Sequence, residues 1–252
     1  MSATKLIVGN WKMNGLLADS KARAEQLGSA IAAIKDSPFE MVLCPPATMI
    51  GTVAEVLAGC AVRHGGQDCH TESAGAYTGN ISAAMLKDLG CTHVIVGHSE
   101  RRQYHAESSA LIAAKAAAAH AAGLVAIICV GETDAERTAG QADSVVAAQL
   151  AESIPLSATS ENTAIAYEPV WAIGTGKTAS ADDIRQMHAH IRAKVSDKIT
   201  AGGAQVKLLY GGSVKAANAR EILHLPHVDG VLVGGASLVA DDFIAIAKAS
   251  AA

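Results

Sequence analysis

Short apolar runs alternate with longer, Ala-rich amphipathic stretches along the chain. The runs at 5–10, 40–44, 61–67, 93–97, 125–130, 164–168, 206–210 and 230–234 are brief, nearly continuous in hydrophobicity and rich in Val, Ile and Leu. That pattern predicts strands buried on both faces, as in a parallel sheet. Between them, apolar residues recur at helical spacing, which predicts helices over 20–35, 47–58, 82–89, 109–122, 135–152, 181–199, 215–223 and 241–249. Thr78 or Asn80 before the third helix and Ser180 before the sixth can cap the first turn. Eight strand-then-helix units predict the α/β class and a closed parallel (β/α)8 barrel, a single domain from residue 1 to residue 252. A doubly wound open sheet would carry G-x-G-x-x-G after an early strand, and neither of the first two strands is followed by it. The stretch from Gly65 to Gly79 reads as a long polar loop, of the kind that builds sites or interfaces.

Composition narrows the function classes. Half of the residues are apolar and 17% are charged, which suits a packed globule and argues against disorder. Aromatics are scarce, so core volume must come from Val, Ile, Leu and Ala. The net charge is −4 and no long basic run occurs, so no nucleic-acid partner is expected. No apolar stretch approaches the length of a membrane span, and no membrane partner is expected either. The opening MSATKLIVGN lacks the charged region and apolar run of a secretory signal. Five cysteines (Cys44, Cys60, Cys69, Cys91, Cys129) include no C-x-x-C, which points to reduced thiols and a cytoplasmic location. Without a secretory signal, the sequon at Asn80-Ile81-Ser82 reads as incidental.

In a barrel of this kind, chemistry gathers at the C-terminal ends of the strands. The first strand ends in Gly9-Asn10-Trp11-Lys12, the third near Gln67-Asp68 and the fourth in Gly97-His98-Ser99-Glu100. The sixth ends in Tyr167-Glu168-Pro169, the seventh in Gly211-Gly212-Ser213 and the eighth in Gly234-Gly235. Alone, a histidine is more often structural than catalytic, and a lysine is usually a solvated charge. Together they set a carboxylate, an imidazole and a cation around one rim. The glycine pairs could be turn punctuation, but they stand after strands seven and eight, where barrels commonly bind phosphate through backbone N–H groups. Gly174-Thr175-Gly176-Lys177-Thr178 resembles the tail of a P-loop, yet position 171 is Trp171 where that motif needs glycine. The segment from Pro169 to Lys177 reads better as a mobile lid, with apolar Val170, Trp171, Ala172 and Ile173 to cover a ligand. Metal binding is the weakest candidate: the spacing from His64 to His70 matches no zinc pattern, and His188 and His190 face different ways on a helix.

At these positions the chain resembles the triosephosphate isomerase family. Ala166-Tyr-Glu-Pro-Val-Trp-Ala-Ile-Gly-Thr-Gly-Lys177 is similar to that family's catalytic glutamate and lid. Gly9-Asn-Trp-Lys-Met-Asn14 and Gly97-His-Ser-Glu-Arg-Arg102 are similar to its first- and fourth-strand motifs. Tyr210-Gly-Gly-Ser213 and Val233-Gly-Gly-Ala-Ser237 are similar to its phosphate loops, and Gln67-Asp68 with Gly75-Ala-Tyr-Thr-Gly79 to its interface loop. The resemblance implies a TIM barrel that interconverts dihydroxyacetone phosphate and D-glyceraldehyde 3-phosphate through an enediolate, a step of glycolysis and gluconeogenesis. It implies no metal and no organic cofactor. Glu168 would be the base, His98 the electrophile that handles protons on the oxygens, and Lys12, with Asn10 beside it, the cation for substrate and enediolate charge. Glu100 would support Lys12. Backbone N–H groups of Gly174, Ser213, Gly234 and Gly235 would cradle the phosphate. It also implies a homodimer through the loop from Gly65 to Gly79. Two positions depart from the family pattern: Tyr77 replaces a commoner Phe, and Val239 stands where a charged residue often follows Ala236-Ser237-Leu238. Neither touches the expected chemistry.

Two other readings compete. A different phosphate-binding barrel enzyme would explain both glycine pairs, though not Lys12, His98 and Glu168 together with a lid. A catalytically silent phosphate-binding barrel would be expected to lack the base or the lysine, and both are present.

Overall fold

The computed structural model describes residues 4–34, 37–173 and 177–251. Eight parallel strands close on themselves in sequence order. The order of elements is β1 (Lys5–Asn10), α1 (Leu17–Ala32), β2 (Phe39–Cys44), α2 (Ile50–Val56), β3 (Arg63–Gly66), α3 (Ala83–Asp88), β4 (His93–Val96), α4 (Ser99–Tyr104), α5 (Ser109–Ala121) and β5 (Val125–Val130). It continues with α6 (Asp134–Thr138), α7 (Ala142–Ser153), β6 (Thr163–Tyr167), α8 (Ala181–Lys198), β7 (Lys207–Tyr210), α9 (Ala216–Leu223), β8 (Gly230–Val233) and α10 (Ala240–Lys248). Pairing of β1 with β8, from Leu6 opposite Gly230 to Gly9 opposite Val233, shuts the barrel.

Alternation along the strands divides the core in two. Leu6, Val8, Val42, Ile95, Ile127, Ala164, Leu209 and Leu232 belong to a cluster that fills the barrel. Their neighbours Ile7, Met41, Val94, Ile128, Ile165 and Val231 belong to the layer under the helices. Strands so buried on both sides must read as continuous hydrophobic runs, which is why they stand out in the sequence. The helices bury one stripe each: Ser20, Ala24, Leu27 and Ile31 on α1, and Ile184, Met187, His188, Ile191 and Val195 on α8.

The structure departs from the sequence pattern at several ends. The third strand is shorter than 61–67, and α1 begins earlier than residue 20. The predicted helix over 135–152 is two helices, because Gly140 takes a left-handed φ of 71° between α6 and α7. A short helix that periodicity missed, α4, starts directly after His98. The cap of α3 is Ser82, whose hydroxyl accepts the Met85 N–H, and not Thr78 or Asn80. Ser180 caps α8 as expected, in a reciprocal capping box with Asp183. All five cysteines are free thiols. No helix among the described residues is long and apolar enough to cross a membrane.

Candidate active site

The C-terminal strand ends meet around a cavity of about 310 Å³, lined by Asn10, Lys12, His98, Glu168, Ser213, Gly234 and Gly235. Every site residue expected from the sequence is thus brought to one place, except two. Glu100 stands behind the rim, bonded to Lys12. Gly174 lies outside the described residues.

Glu168 is set by backbone contacts of unusual closeness. Its N–H bonds to the Val130 carbonyl at 2.8 Å, and the next strand is tied by Gly211 N–H to the Tyr167 carbonyl at 2.7 Å. A Cβ on Gly131 would overlap the Glu168 carbonyl oxygen, and one on Gly211 would come within 3.0 Å of Glu168 Cγ. Glycine on both neighbouring strands is what lets the chain carry a carboxylate here. That carboxylate is 2% exposed. Its Oε1 lies 2.8 Å from His98 Nε2, and its Oε2 accepts the Ser99 N–H at 2.9 Å. Burial works to raise its pKa, but the attraction of His98 and the Ser99 N–H prevail and hold it below the ordinary carboxylate value.

His98 is the N-cap of α4, and its Nδ1 accepts the Glu100 N–H at 3.2 Å. The other nitrogen, Nε2, therefore carries the proton of the neutral ring and presents it to Glu168. Burial opposes a charge on the ring, yet the adjacent Glu168 carboxylate outweighs it and lifts the His98 pKa above its ordinary value. Movement of Glu168 toward a ligand would remove that lift.

Lys12 sits in left-handed backbone, φ 51°, a conformation disfavoured for a side chain of its size. Two polar side chains hold it there. Asn10 Oδ1 accepts the Lys12 N–H at 3.0 Å, and Gln67 Nε2 donates to the Lys12 and Cys44 carbonyls, each at 2.8 Å. The Lys12 ammonium reaches Glu100 Oε1 at 2.7 Å. Elsewhere in the cavity lining, Ser213 is fixed by Asn218 Nδ2 on its carbonyl at 3.1 Å. Gly235 opens a 3-10 turn to Leu238 that is pinned by Ser237 on the Gly234 carbonyl. The Lys12 side chain lies beside this loop: a Cβ on Gly234 would meet Lys12 Cε at 3.5 Å.

Two functional neighbours escaped the sequence reading. Ser99 holds the carboxylate through its N–H at 2.9 Å and its hydroxyl at 3.4 Å, and the shorter, main-chain contact is one that no side-chain pattern signals. Gln67 was visible at a strand end, but its bond to the strained Lys12 depends on a 55-residue separation in sequence. Among the described residues, no group of three or more His, Cys, Asp or Glu is placed to hold a metal. His188 is a core residue whose Nδ1 bonds to the His227 carbonyl at 3.0 Å.

Residues 5–250 match the family model for triosephosphate isomerase. The chain is 54% identical to the triosephosphate isomerase of Mesorhizobium japonicum over 97% of its own length and 95% of the relative's. It is 53% identical to that of Acidiphilium cryptum over 98% of each. The crystal structure of triosephosphate isomerase from Bartonella henselae superposes with a TM-score of 0.90 at 45% identity, covering 98% of both chains. With the family model matched over residues 5–250 and the relatives matched over nearly their full length, the chain belongs to the triosephosphate isomerase family.

Proposed function

We propose that the cavity over β1, β4, β6, β7 and β8 is the site where Glu168, His98, Lys12 and Asn10 act together on a triose phosphate. The chain is an isomerase that interconverts dihydroxyacetone phosphate and D-glyceraldehyde 3-phosphate, in glycolysis and gluconeogenesis. Glu168 is the base that carries a proton between the two carbons. His98 donates Nε2–H to the carbonyl oxygen and passes protons between the oxygens. Lys12, supported by Glu100 and flanked by Asn10, offsets the enediolate charge. Ser213, Gly234, Gly235 and Gly174 receive the phosphate on backbone N–H groups, and the segment from Pro169 to Lys177 closes over it.

The observation that carries this reading is the buried carboxylate–imidazole contact on the same cavity wall as a lysine and two glycine loops. Removing a proton beside a carbonyl builds an oxyanion, so donors fixed beforehand where that charge appears lower the barrier. Excluding water protects the enediolate from losing its phosphate. This chemistry calls for neither metal nor organic cofactor. Purified protein should isomerise either triose phosphate in a coupled assay without added metal, and folded protein with no turnover above background would overturn the reading.

The same reading makes residues 1–252 one domain, a homodimer through the loop from Gly65 to Gly79, and a cytoplasmic protein. For the dimer, the support is exposed apolar side chains on that loop (Tyr77), shortly after it (Met85) and in the segment after β1 (Met13, Leu16 and Leu17), which Gln67 ties to the loop at the Lys12 carbonyl. Sedimentation of a fully active monomer at low micromolar concentration would count against it.

A further inference from the structure

The ladder between β4 and β5 is short. It runs from His93 opposite Val125 to Val96 opposite Ile128 and stops there. Strand β5 goes on to Val130, paired with β6 as far as Tyr167, and the Val130 carbonyl then accepts the Glu168 N–H. The strand that leads to His98 thus parts, just before that residue, from the strand against which Glu168 is seated. Gly97, at the parting, has left-handed backbone with φ 68°. His98 Nε2 and Glu168 Oε1 nevertheless lie 2.8 Å apart, and the spacing of their strands at this level is not set by backbone pairing.

A side chain takes over there. Arg102, on α4, donates from Nε to the Gly97 carbonyl at 3.1 Å and from Nη2 to the Cys129 carbonyl at 3.0 Å. Gly97 and Cys129 are the residues that would pair next had the ladder continued. Two hydroxyls accept from the same guanidinium at 3.1 Å each: Ser109, at the start of α5, and the fully buried Ser153, at the end of α7. None of these partners is a carboxylate, whereas Arg101 beside it pairs with Asp68 and Glu107. Burial holds the Arg102 pKa below its ordinary value. A cation drawn out of water without an ion pair costs stability, so a purely structural tie would be served better by neutral groups. What the guanidinium adds is a planar fork with donors on three nitrogens, which spans both carbonyls and both hydroxyls. The single nitrogen of a lysine could not.

We propose that Arg102 is a positioning residue for His98: by clamping the Gly97 and Cys129 carbonyls where β4 and β5 part, it sets the distance between the imidazole and the Glu168 carboxylate. The proposal rests on the reading of His98 as the electrophile and Glu168 as the base. Arg102 does not line the cavity that holds Lys12 and the glycine loops, so its removal acts through where His98 stands.

The test compares Arg102→Met, which keeps the stem but loses fork and charge, with Arg102→Lys, which keeps the charge and at most one of the two carbonyls. Two readouts are taken on the full chain: steady-state kinetics on both triose phosphates, and the proton NMR signal of the His98 Nε2–H, assigned by its absence from His98→Gln. Arg102→Met should displace that signal from its wild-type position and lower kcat roughly tenfold or more, as small misplacements of a catalytic group do, with KM changed far less. Arg102→Lys should show the same changes to a smaller degree. A wild-type kcat in folded Arg102→Met overturns the proposal. So does a lowered Tm with neither readout moved, and so does a fallen kcat with the His98 signal in place, because Arg102 would then act by another route. Should Arg102→Met not fold, the same outcomes read on Arg102→Lys decide it. Glu168→Asp with full kcat would remove the reading of the base instead, and the His98 signal would still report whether Arg102 places the imidazole.

Discussion

The side chains of the site are held more by their backbone surroundings than by one another. Lys12 keeps a disfavoured φ because Asn10 and Gln67 grip the peptide groups on either side of it, and Glu168 keeps its place because Gly131 and Gly211 leave it room. Two predictions follow from that closeness. Glu168→Asp withdraws the carboxylate by one methylene from a position defined by contacts under 3 Å, so kcat should fall roughly 10²-fold or more. Unchanged kcat in steady-state kinetics would remove Glu168 from the role of base. Gly131→Ala puts a methyl where the Glu168 carbonyl oxygen already lies, so β5 and β6 must separate at their ends. The expected result is a loss of about 1–3 kcal/mol in urea unfolding together with lower kcat, since the displaced strand is the one that carries the base. A variant of wild-type stability and activity would show that the contact relaxes freely.

Elements end where local chemistry ends them, and that explains what the sequence shows and what it hides. The strands are legible because both of their faces are buried, and Ser180 is legible because a hydroxyl three residues before an acid at a helix start has few other uses. The split between α6 and α7 is not, because Gly140 sits inside an otherwise helical pattern and only its positive φ breaks the helix. Nor is α4, six residues long, too short for periodicity to register. The site divides in the same way. Lys12, His98 and Glu168 are legible as chemistry at strand ends, whereas Ser99 acts chiefly through a backbone N–H and Gln67 through bonds to peptide carbonyls far away in sequence. The cap of α8 allows a prediction at this scale. Ser180→Ala removes one half of the capping box and frees Asp183, which also accepts from Arg137. It should destabilise the protein by about 1 kcal/mol, which lowers Tm by roughly 2–4 °C in a chain of this size. An unchanged melting curve would mean that Asp183 alone holds the helix start.

For the molecule as a whole, the buried histidines set how stability responds to acid. His93, at the start of β4, and His188, in the α8 stripe under the barrel, are each pushed down to about 4 from 6.5, in both cases chiefly by burial. A group whose folded pKa is depressed takes its proton in the unfolded chain first. Stability from these two is therefore fully present above about pH 6.5 and lost as pH falls toward about 4, roughly 3 kcal/mol for each. Glu107, Glu168 and Asp183 are depressed carboxylates, and their losses set in as pH falls through the ordinary carboxylate range, at the acid end of that window. His98 runs the other way. Its pKa is raised beside Glu168, so its contribution is complete below about 6.5 and fades as pH rises through the folded value. Urea unfolding at fixed protein concentration should thus show stability dropping steeply between about pH 6.5 and about pH 4.5, where carboxylates contribute little to the slope. His188→Phe keeps a ring in the Tyr167–Tyr210 cluster and removes the titrating group. His120, also depressed by burial, adds to that slope, and the variant should lose a substantial part of it; a slope equal to the wild type's would mean that His188 takes up its proton in the folded protein as readily as in the unfolded chain.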